Sequence, residues 1–562
     1  MIFKKCLFFA NAAAILFAAF LSHSAQTELP DFNRVRTYDV QHYILRVSFD
    51  RAKKKLFGDT TVQLLPLKPG FSEVELDEVS LNFESITIEP ENKILKYRTK
   101  GEKVYVTLDK PYSPKELISL RFKYSAVPKK GIYFIEERKE NGHVESPAQI
   151  WTQGEAEEAR HWFPSFDFPS DKATSEEIIT VNKGDSVIGN GEFLGEIENL
   201  DGTVTFHFNM PIPHSTYLTS FIVGKYEHVI DKYKDIPLGF YIYPGRQTIV
   251  PQAFGKTKNI LHVYEELTGV GFPYNKYDQT IVSGFIFGGM ENITATTLSD
   301  TEVFLANYDF GKGTVEDLVS HETAHSWFGN LVTCKNWAEL WLNEGFATFM
   351  EAAYREKMYG RDSYIRKIKS DAGTFFADEA VNTKRNGLFN RNAMDVNALF
   401  DRPATTYNKG SVVIHMLREQ IGDVAFWKGI NIYLNRHKFS NVESSDIRKA
   451  MEESSGTELG WFFDQWVYGL GSPKLEVRQA YNSRTKTLSL TVAQIQKQDK
   501  FTPQAFTLPI DVSIMTALGQ QNERISVTKR LETFQIKITA KPIDIKFDKF
   551  DKTPLMTVKI MP

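Results

Sequence analysis

His321-Glu322-Thr323-Ala324-His325, with Glu344 placed 18 residues beyond the second histidine in Leu342-Asn343-Glu344-Gly345-Phe346-Ala347, is the stretch on which fold and chemistry turn. Its surroundings predict a helix: Thr314 and Asp317 form a capping-box pattern at one end, and Gly329 offers a stop at the other. At ~100° per residue, positions 321 and 325 fall about 40° apart on one face and ~6 Å apart along the axis, so both imidazoles reach one metal ion. Glu322 lies beside them, near enough to touch a metal-bound water without ligating the metal. Glu344, at the start of a second helical run, supplies a carboxylate as third ligand and leaves the fourth position of a tetrahedral zinc open to water. A five-residue motif alone is a weak signal; the distant carboxylate makes the pattern catalytic.

Outward from this stretch the hydrophobic period changes twice. From Asp31 to about Lys225 it is mostly two, as in Val104, Val106 and Leu108, or Val204, Phe206 and Phe208 after the turn dipeptide Asp201-Gly202, which reads as a β-rich domain. Between about Tyr226 and Gly471, strand-like runs such as 279–287 give way to helical ones at 315–328 and 339–358. Alternation returns after Ser472-Pro473, in Leu488, Leu490 and Val492 and again in Phe534, Ile536 and Ile538, and predicts a small C-terminal β-sandwich. The expected organisation is therefore multidomain α+β: a signal peptide over 1–25, a β-rich domain over 26–225, a mixed α/β catalytic domain over 226–471 and the sandwich over 472–562. A length of 562 residues fits such a division, at roughly 150 residues per domain.

The first 25 residues carry Lys4 and Lys5, an apolar run of 16 residues from Cys6 to Leu21, then the small residues Ser22, Ser24 and Ala25. This is a signal-peptide layout, and the run is short against the ~20 residues that span a bilayer. An exported protein, periplasmic or secreted, with no stable membrane span after cleavage is expected. Cleavage removes two lysines and takes the net charge from −3 to −5. No basic field exists to hold nucleic acid. Hydrophobic residues at 42% exclude disorder as the main state. Of the two cysteines, Cys6 lies in the signal, so Cys334 is left without an intramolecular partner and reads as a small buried hydrophobe.

The HExxH-x18-E pattern followed by Gly345-Phe346-Ala347 resembles the gluzincins, and further segments narrow this to the M1 family of zinc aminopeptidases. Phe287-Gly288-Gly289-Met290-Glu291-Asn292 is similar to that family's GxMEN signature. Thr152-Gln153-Gly154-Glu155-Ala156 with Arg160, Phe163-Pro164-Ser165-Phe166-Asp167, Tyr407-Asn408-Lys409-Gly410 and Phe463-Asp464-Gln465-Trp466 also match. The resemblance implies a thermolysin-like catalytic domain, one zinc ion on His321, His325 and Glu344, and peptide substrates with a free N-terminus. It places Glu155 and Glu291 around the substrate α-amine, Gly288, Gly289, Met290 and Asn292 in the substrate-binding segment, and Tyr407 beside the scissile carbonyl.

The chemistry expected of those residues follows from their type. An α-ammonium (pKa ~8) is common to peptide N-termini, and two fixed carboxylates bind it at a set distance from the zinc. Zinc-bound water is then the nucleophile, Glu322 the general base, and the Tyr407 hydroxyl a donor to the tetrahedral oxyanion. Zinc at +2 against four glutamates leaves −2 before substrate arrives, so one carboxylate is expected to titrate high. Alternatives are a zinc endopeptidase, which uses the same ligand pattern, and a noncatalytic peptide-binding homologue. Against many M1 enzymes the chain lacks a match to a C-terminal helical domain, from which a more open cleft and acceptance of longer peptides are expected. The resemblance gives little support to epoxide hydrolysis of the leukotriene A4 hydrolase type. Asn292-Ile293-Thr294 matches a glycosylation sequon, but a glycan there would fill the groove. His161, His214, His262 and His415 have no ligand spacing and read as structural or exposed. Neither oligomeric state nor the preferred N-terminal residue is legible.

Overall fold

Alternation with one interruption builds the N-terminal region. In the strand Tyr38–Asp50 the buried residues are Tyr38 and Val40, then Tyr43, Leu45 and Val47. The switch from even to odd positions coincides with a register shift between Val40 and His42 against the strand Lys55–Pro66. A bulged residue at Gln41 turns the rest of the strand over, so the apolar set stays on one face. The computed structural model describes residues 29–561; the expected signal peptide, with Cys6, lies outside the described residues.

Tyr38–Asp50 sits inside an eight-stranded sheet, antiparallel to Lys55–Pro66 and parallel to Ala173–Asn182. A three-stranded sheet (Phe71–Asp77, Lys103–Tyr112, Lys96–Thr99), a four-stranded one (Ser186–Ile188, Ile222–Gly224, Gln149–Thr152, Ile132–Ile135) and a two-stranded one (Arg138–Glu140, His143–Ser146) complete this β-rich region among the described residues. Its own core gathers Leu45, Val62, Leu120 and Phe122 with Trp162 and Phe163.

The middle region opens with a five-stranded sheet in the order Glu227–Tyr233, Ile236–Ile242, Tyr277–Val282, Ala295–Ser299, Gly289–Met290. The predicted strand over 279–287 is shorter and earlier than expected, because the chain leaves the sheet after Val282 and returns antiparallel at Gly289–Met290 as its edge. Helices follow: Asp309–Ala324, Trp341–Tyr359, Arg361–Val381 and Gly410–Ile421. In Trp341–Tyr359 every residue from Trp341 to Tyr354 is buried, which makes it the central helix. Its apolar residues face the core on most sides, while the buried Asn343, Glu344 and Glu351 are taken up by hydrogen-bonding and charged partners.

The C-terminal strands form a four-stranded sheet (Leu531–Lys537, Thr487–Gln494, Lys474–Asn482, Thr557–Met561) and a three-stranded sheet (Gly519–Val527, Leu508–Thr516, Pro542–Phe547). Leu488, Phe506 and Val512 belong to the same core as Phe346 and Tyr354. Gln465, from the Phe463-Asp464-Gln465-Trp466 segment, ties the two regions by donating to the Thr507 carbonyl (3.1 Å) and accepting from its N–H (2.9 Å). From Phe32 onward the described chain is one compact unit. Among the described residues no helix is long and apolar enough to cross a membrane.

Arg160 is the buried ionic junction between the β-rich region and the helices. Its Nε and its backbone N–H each donate to Asp167 Oδ2 at 3.0 Å, and a guanidinium nitrogen donates to the Asp167 carbonyl at 3.0 Å. Glu157 pairs with the same guanidinium and accepts from Trp337 Nε1 at 3.0 Å. Removing one member of a buried pair leaves its partner desolvated and unpaired. Arg160→Met is therefore expected to lower apparent stability by ~3–5 kcal/mol in guanidinium denaturation followed by tryptophan fluorescence; a loss below ~1 kcal/mol would show that the junction carries little of the stability.

Candidate metal centre and active site

The helix Asp309–Ala324 carries His321 and Glu322 in its last turn, with His325 as its C-terminal flanking residue. It starts at Asp309, ahead of Thr314, so the capping-box expectation is corrected: Asp317 lies inside the helix and accepts from Arg355 of the central helix at 2.6 and 2.5 Å. Gly329 does not stop the helix either. The chain has turned by then, with the Asn330 N–H on the His325 carbonyl (3.0 Å) and the Gly329 N–H on that of Val332 (2.8 Å). Gly329 has φ +122°, and a Cβ there would lie 2.9 Å from His325 Nδ1. Glycine is needed so that backbone can pass behind the ligand ring.

Both imidazoles are oriented from behind. His321 Nδ1–H donates to Glu351 Oε1 at 2.8 Å, and His325 Nδ1–H donates to the Phe328 carbonyl at 2.9 Å. Each ring thereby aims its Nε2 toward Glu344 Oε2, at 3.3 Å from His321 and 3.4 Å from His325. Donors bound at ~2.0–2.1 Å on the corners of a tetrahedron stand ~3.3–3.4 Å apart, so the three atoms have the spacing that a zinc ion requires. A nitrogen–nitrogen–carboxylate set matches zinc chemistry.

Glu322 is buried against the edge strand. A Cβ on Gly289 would fall 2.2 Å from Glu322 Oε1, so only glycine leaves the carboxylate its place. Glu322 Oε2, Glu291 Oε1 and Glu155 Oε1 are all buried without a hydrogen-bond partner among the described residues. Such orphaned acceptors mark a place for a cation or a donor. Glu155 is held there by the Arg160–Glu157–Trp337 junction and by the Glu158 N–H on the Gly154 carbonyl (2.8 Å). Asn330 fixes Glu291 by donating to its carbonyl at 2.9 Å. The Tyr407 ring stacks near His321, with centroids 6.0 Å apart and planes 15° from parallel.

These groups line one cleft of about 620 Å³, which takes in every predicted site residue except Asn292. Asn292 lies behind the strand, buried, and donates to Thr297 Oγ1 at 3.0 Å; its contribution is to hold the segment, and it is closed to a glycan. His415 is buried between Tyr364 and the Asp551 carbonyl, and His214 bonds Ser175, Thr219 and the Ile212 carbonyl, so neither approaches the site. Cys334 is buried and free. Sequence reading missed Glu351, which stands seven residues beyond Glu344, two helical turns along the same face; that spacing was the available signal.

Charge crowding shapes the titration of the cleft. Burial lifts Glu322 to about 7, against the pull of both imidazoles. Burial, with the Glu291 and Glu344 charges behind it, lifts Glu155 well above the carboxylate range, and burial raises Glu291 too. Glu344 is also pushed up by burial, but His325 and His321 outweigh that and bring it down to about 2. The ligand carboxylate is thus ionised first and the others resist.

Comparison with known proteins gives two matches of one kind: residues 39–218 to the peptidase M1 N-terminal domain and residues 252–466 to the peptidase family M1 domain. The chain belongs to the M1 peptidase family. Aminopeptidase 2 of Candida albicans is 28% identical over 81% of this chain and 49% of its own length. Aminopeptidase N of Streptomyces lividans is 33% identical over 58% of this chain and 39% of its own, and leucyl aminopeptidase of Saccharolobus solfataricus 28% over 72% and 51%. The chain spans about half the length of the curated relatives it matches. The matched segments contain the β-rich region and the helices that carry the cleft.

A carboxylate base works only when ionised, so a raised pKa moves the loss of activity upward in pH as acid is added. With Glu322 in the role of base that the sequence implies, its pKa of about 7, which a metal charge on the neighbouring histidines would draw down, should still put the acidic limb of kcat/KM above the ordinary glutamate value of ~4.3. A pH–rate profile on an aminoacyl-coumarin, flat down to pH ~4.5, would contradict this.

Proposed function

We propose that this chain is a zinc-dependent aminopeptidase that hydrolyses the N-terminal peptide bond of peptides with a free α-amine. One observation carries the reading: Glu155, Glu291 and Glu344 each place a carboxylate oxygen within 4.8 Å of the others. An ammonium clamped by Glu155 and Glu291 therefore sits beside a metal ligand, and only one residue fits between clamp and scissile bond. An endopeptidase needs that space open for the preceding residues of its substrate.

His321, His325 and Glu344 would hold the ion, which when bound polarises the substrate carbonyl and acidifies water in the site. Glu155 and Glu291 bind the α-ammonium and relieve their mutual repulsion in doing so. The exposed edge of Gly289–Met290 offers backbone groups to an extended substrate. Glu322 takes the proton of the attacking water and delivers it to the leaving amine. Burial, reinforced by the Glu344 and Glu155 charges, raises the Tyr407 phenol well above its ordinary pKa, so it keeps its proton to donate to the developing oxyanion. The aminopeptidase names of the relatives support the same activity. The proposal extends to export, periplasmic or secreted, on the strength of the N-terminal layout, and to a sandwich arrangement of the two C-terminal sheets.

Glu322→Gln should retain zinc by elemental analysis yet lose ~10²-fold or more in kcat, because the base is removed while the ligands stay. A chelator should abolish turnover, and N-acetylation of the substrate should abolish it too. Undiminished cleavage of the acetylated peptide would replace this reading with an endopeptidase.

A further inference from the structure

The carboxylate behind His321 does not end at Glu351. Glu351 Oε2 lies 3.0 Å from Lys367 Nζ, and the same ammonium donates to Asp371 Oδ1 at 2.8 Å, one turn along the helix Arg361–Val381. Asp371 then grips the segment that carries Tyr407: its Oδ1 accepts from Asn408 Nδ2 and its Oδ2 from Ser411 Oγ, both at 2.9 Å. Asp371 is 2% exposed, and the side chains of Glu351 and Lys367 are 10% and 13% exposed. Three charges are thus withdrawn from water and satisfied by one another.

The gripped segment is irregular. Residues Thr405–Lys409 form a π-helical turn that runs into the helix Gly410–Ile421. A π-helical turn inserts a residue and breaks the ordinary i→i−4 ladder, so its rotation about the axis has to be set by something other than helix hydrogen bonds. Asn408, next to Tyr407 within the turn, and Ser411, two residues beyond its end, bracket the exit into the helix, and Tyr407 and Asn408 both line the cleft. A single carboxylate holding both fixes the turn against the helix Arg361–Val381. The circuit closes through space, since the Tyr407 ring lies nearly parallel to that of His321. Lys367 is the shared member: it neutralises Glu351 on the metal side and Asp371 on the tyrosine side, and without it those two buried carboxylates repel.

We propose that Lys367 and Asp371 are positioning residues that hold Tyr407 in register with His321, so that the oxyanion donor and the metal ligand are placed by one buried ionic brace. This rests on the aminopeptidase reading above. A merely structural role for the ion pairs, as a clamp between three helices, predicts lost stability with no specific coupling to Tyr407 or to the metal.

The test uses the full chain loaded with zinc or with cobalt(II). Asp371→Asn keeps shape but removes the negative charge that faces the Lys367 ammonium, and should lower kcat about tenfold at near-constant KM. Combined with Tyr407→Phe it should cost no more than about a further twofold, because a residue acting through Tyr407 has nothing left to act on. Multiplying effects in the double variant would overturn the proposal. Lys367→Met should weaken zinc binding about tenfold and move the cobalt(II) absorption bands in the same direction as Glu351→Gln, while Lys367→Arg should restore both. Unchanged affinity and spectrum would overturn the His321 arm. Should Asp371→Asn fail to fold, Ser411→Ala releases one of the two clamps and should show the same non-additivity with Tyr407→Phe at about threefold in kcat. If the wild type hydrolyses no aminoacyl substrate, the reading of function falls, and the zinc affinity and cobalt(II) spectra of Lys367→Met and Lys367→Arg still decide the brace, unchanged values overturning it.

Discussion

Three donor atoms from two helices have to meet at one point, and the rest of the active region is arranged around that demand. His321 and His325 come from one helix, so their spacing is set by helical geometry; Glu344 comes from another and has to be delivered to within 3.3–3.4 Å of both. A helix can be placed to that tolerance only if its packing leaves no freedom. The Trp341–Tyr359 helix meets this condition by being buried from Trp341 through Tyr354. Interiors packed to crystal-like density do not allow a side chain to drift by half an ångström without cost. The large core that continues into the C-terminal strands thus bears directly on the chemistry: it holds a ligand-bearing helix still.

Electrostatics works against the same assembly. Glu155, Glu291, Glu322 and Glu344 are gathered where water is largely excluded, and three of them are pushed toward the neutral form by burial. Such a cluster is destabilising in isolation and is held by the structure around it: the Glu158 N–H on the Gly154 carbonyl next to Glu155, Asn330 on the Glu291 carbonyl, and a glycine edge beside Glu322. Positive charge is what relieves this repulsion, and under the proposed reading a cation and the substrate ammonium supply it, so the same crowding contributes to selectivity for what enters. Functional sites are where local rules of polar satisfaction are expected to break, and here they break in one sign of charge.

The parts of this site that were legible in the sequence are those set by local geometry. Two histidines four residues apart need only a helix to converge, and Glu344 needs only the start of a second one. The periods of two and 3.6 separated the β-rich region from the helical one for a similar reason. Boundaries were less legible. Thr314 and Asp317 carry the residue types of a cap, but the helix continues through them because Asp317 finds Arg355 on the central helix, a partner 38 residues away. Glu155 lies in what looks like a solvated run of acids, and only the junction of Arg160, Glu157 and Trp337 turns it inward. Lys367 and Asp371 belong to a polar helix whose sequence gives no sign of an inward-facing ionic stripe. Their meaning appears only when Glu351 and Asn408, on two other helices, are brought against it.

Gly289 shows how closely fold and chemistry are joined. The edge strand Gly289–Met290 has one paired side and one side facing the cleft, and for a substrate to lie along it the strand must run beside the helix that carries the base. With any larger residue at 289, a Cβ would stand 2.2 Å from Glu322 Oε1, and either the strand or the carboxylate would have to move. Moving the strand displaces Glu291, which follows two residues later; moving Glu322 takes the base away from the three donor atoms. Glu291 and the Gly289 backbone therefore sit directly against the Glu322 carboxylate of the neighbouring helix, and the lack of a side chain at 289 permits that approach. That constraint explains why residues 287–291, about thirty positions before the histidines in sequence, line the same cleft. Gly289 provides the clearance, and the Glu291 backbone is held by Asn330.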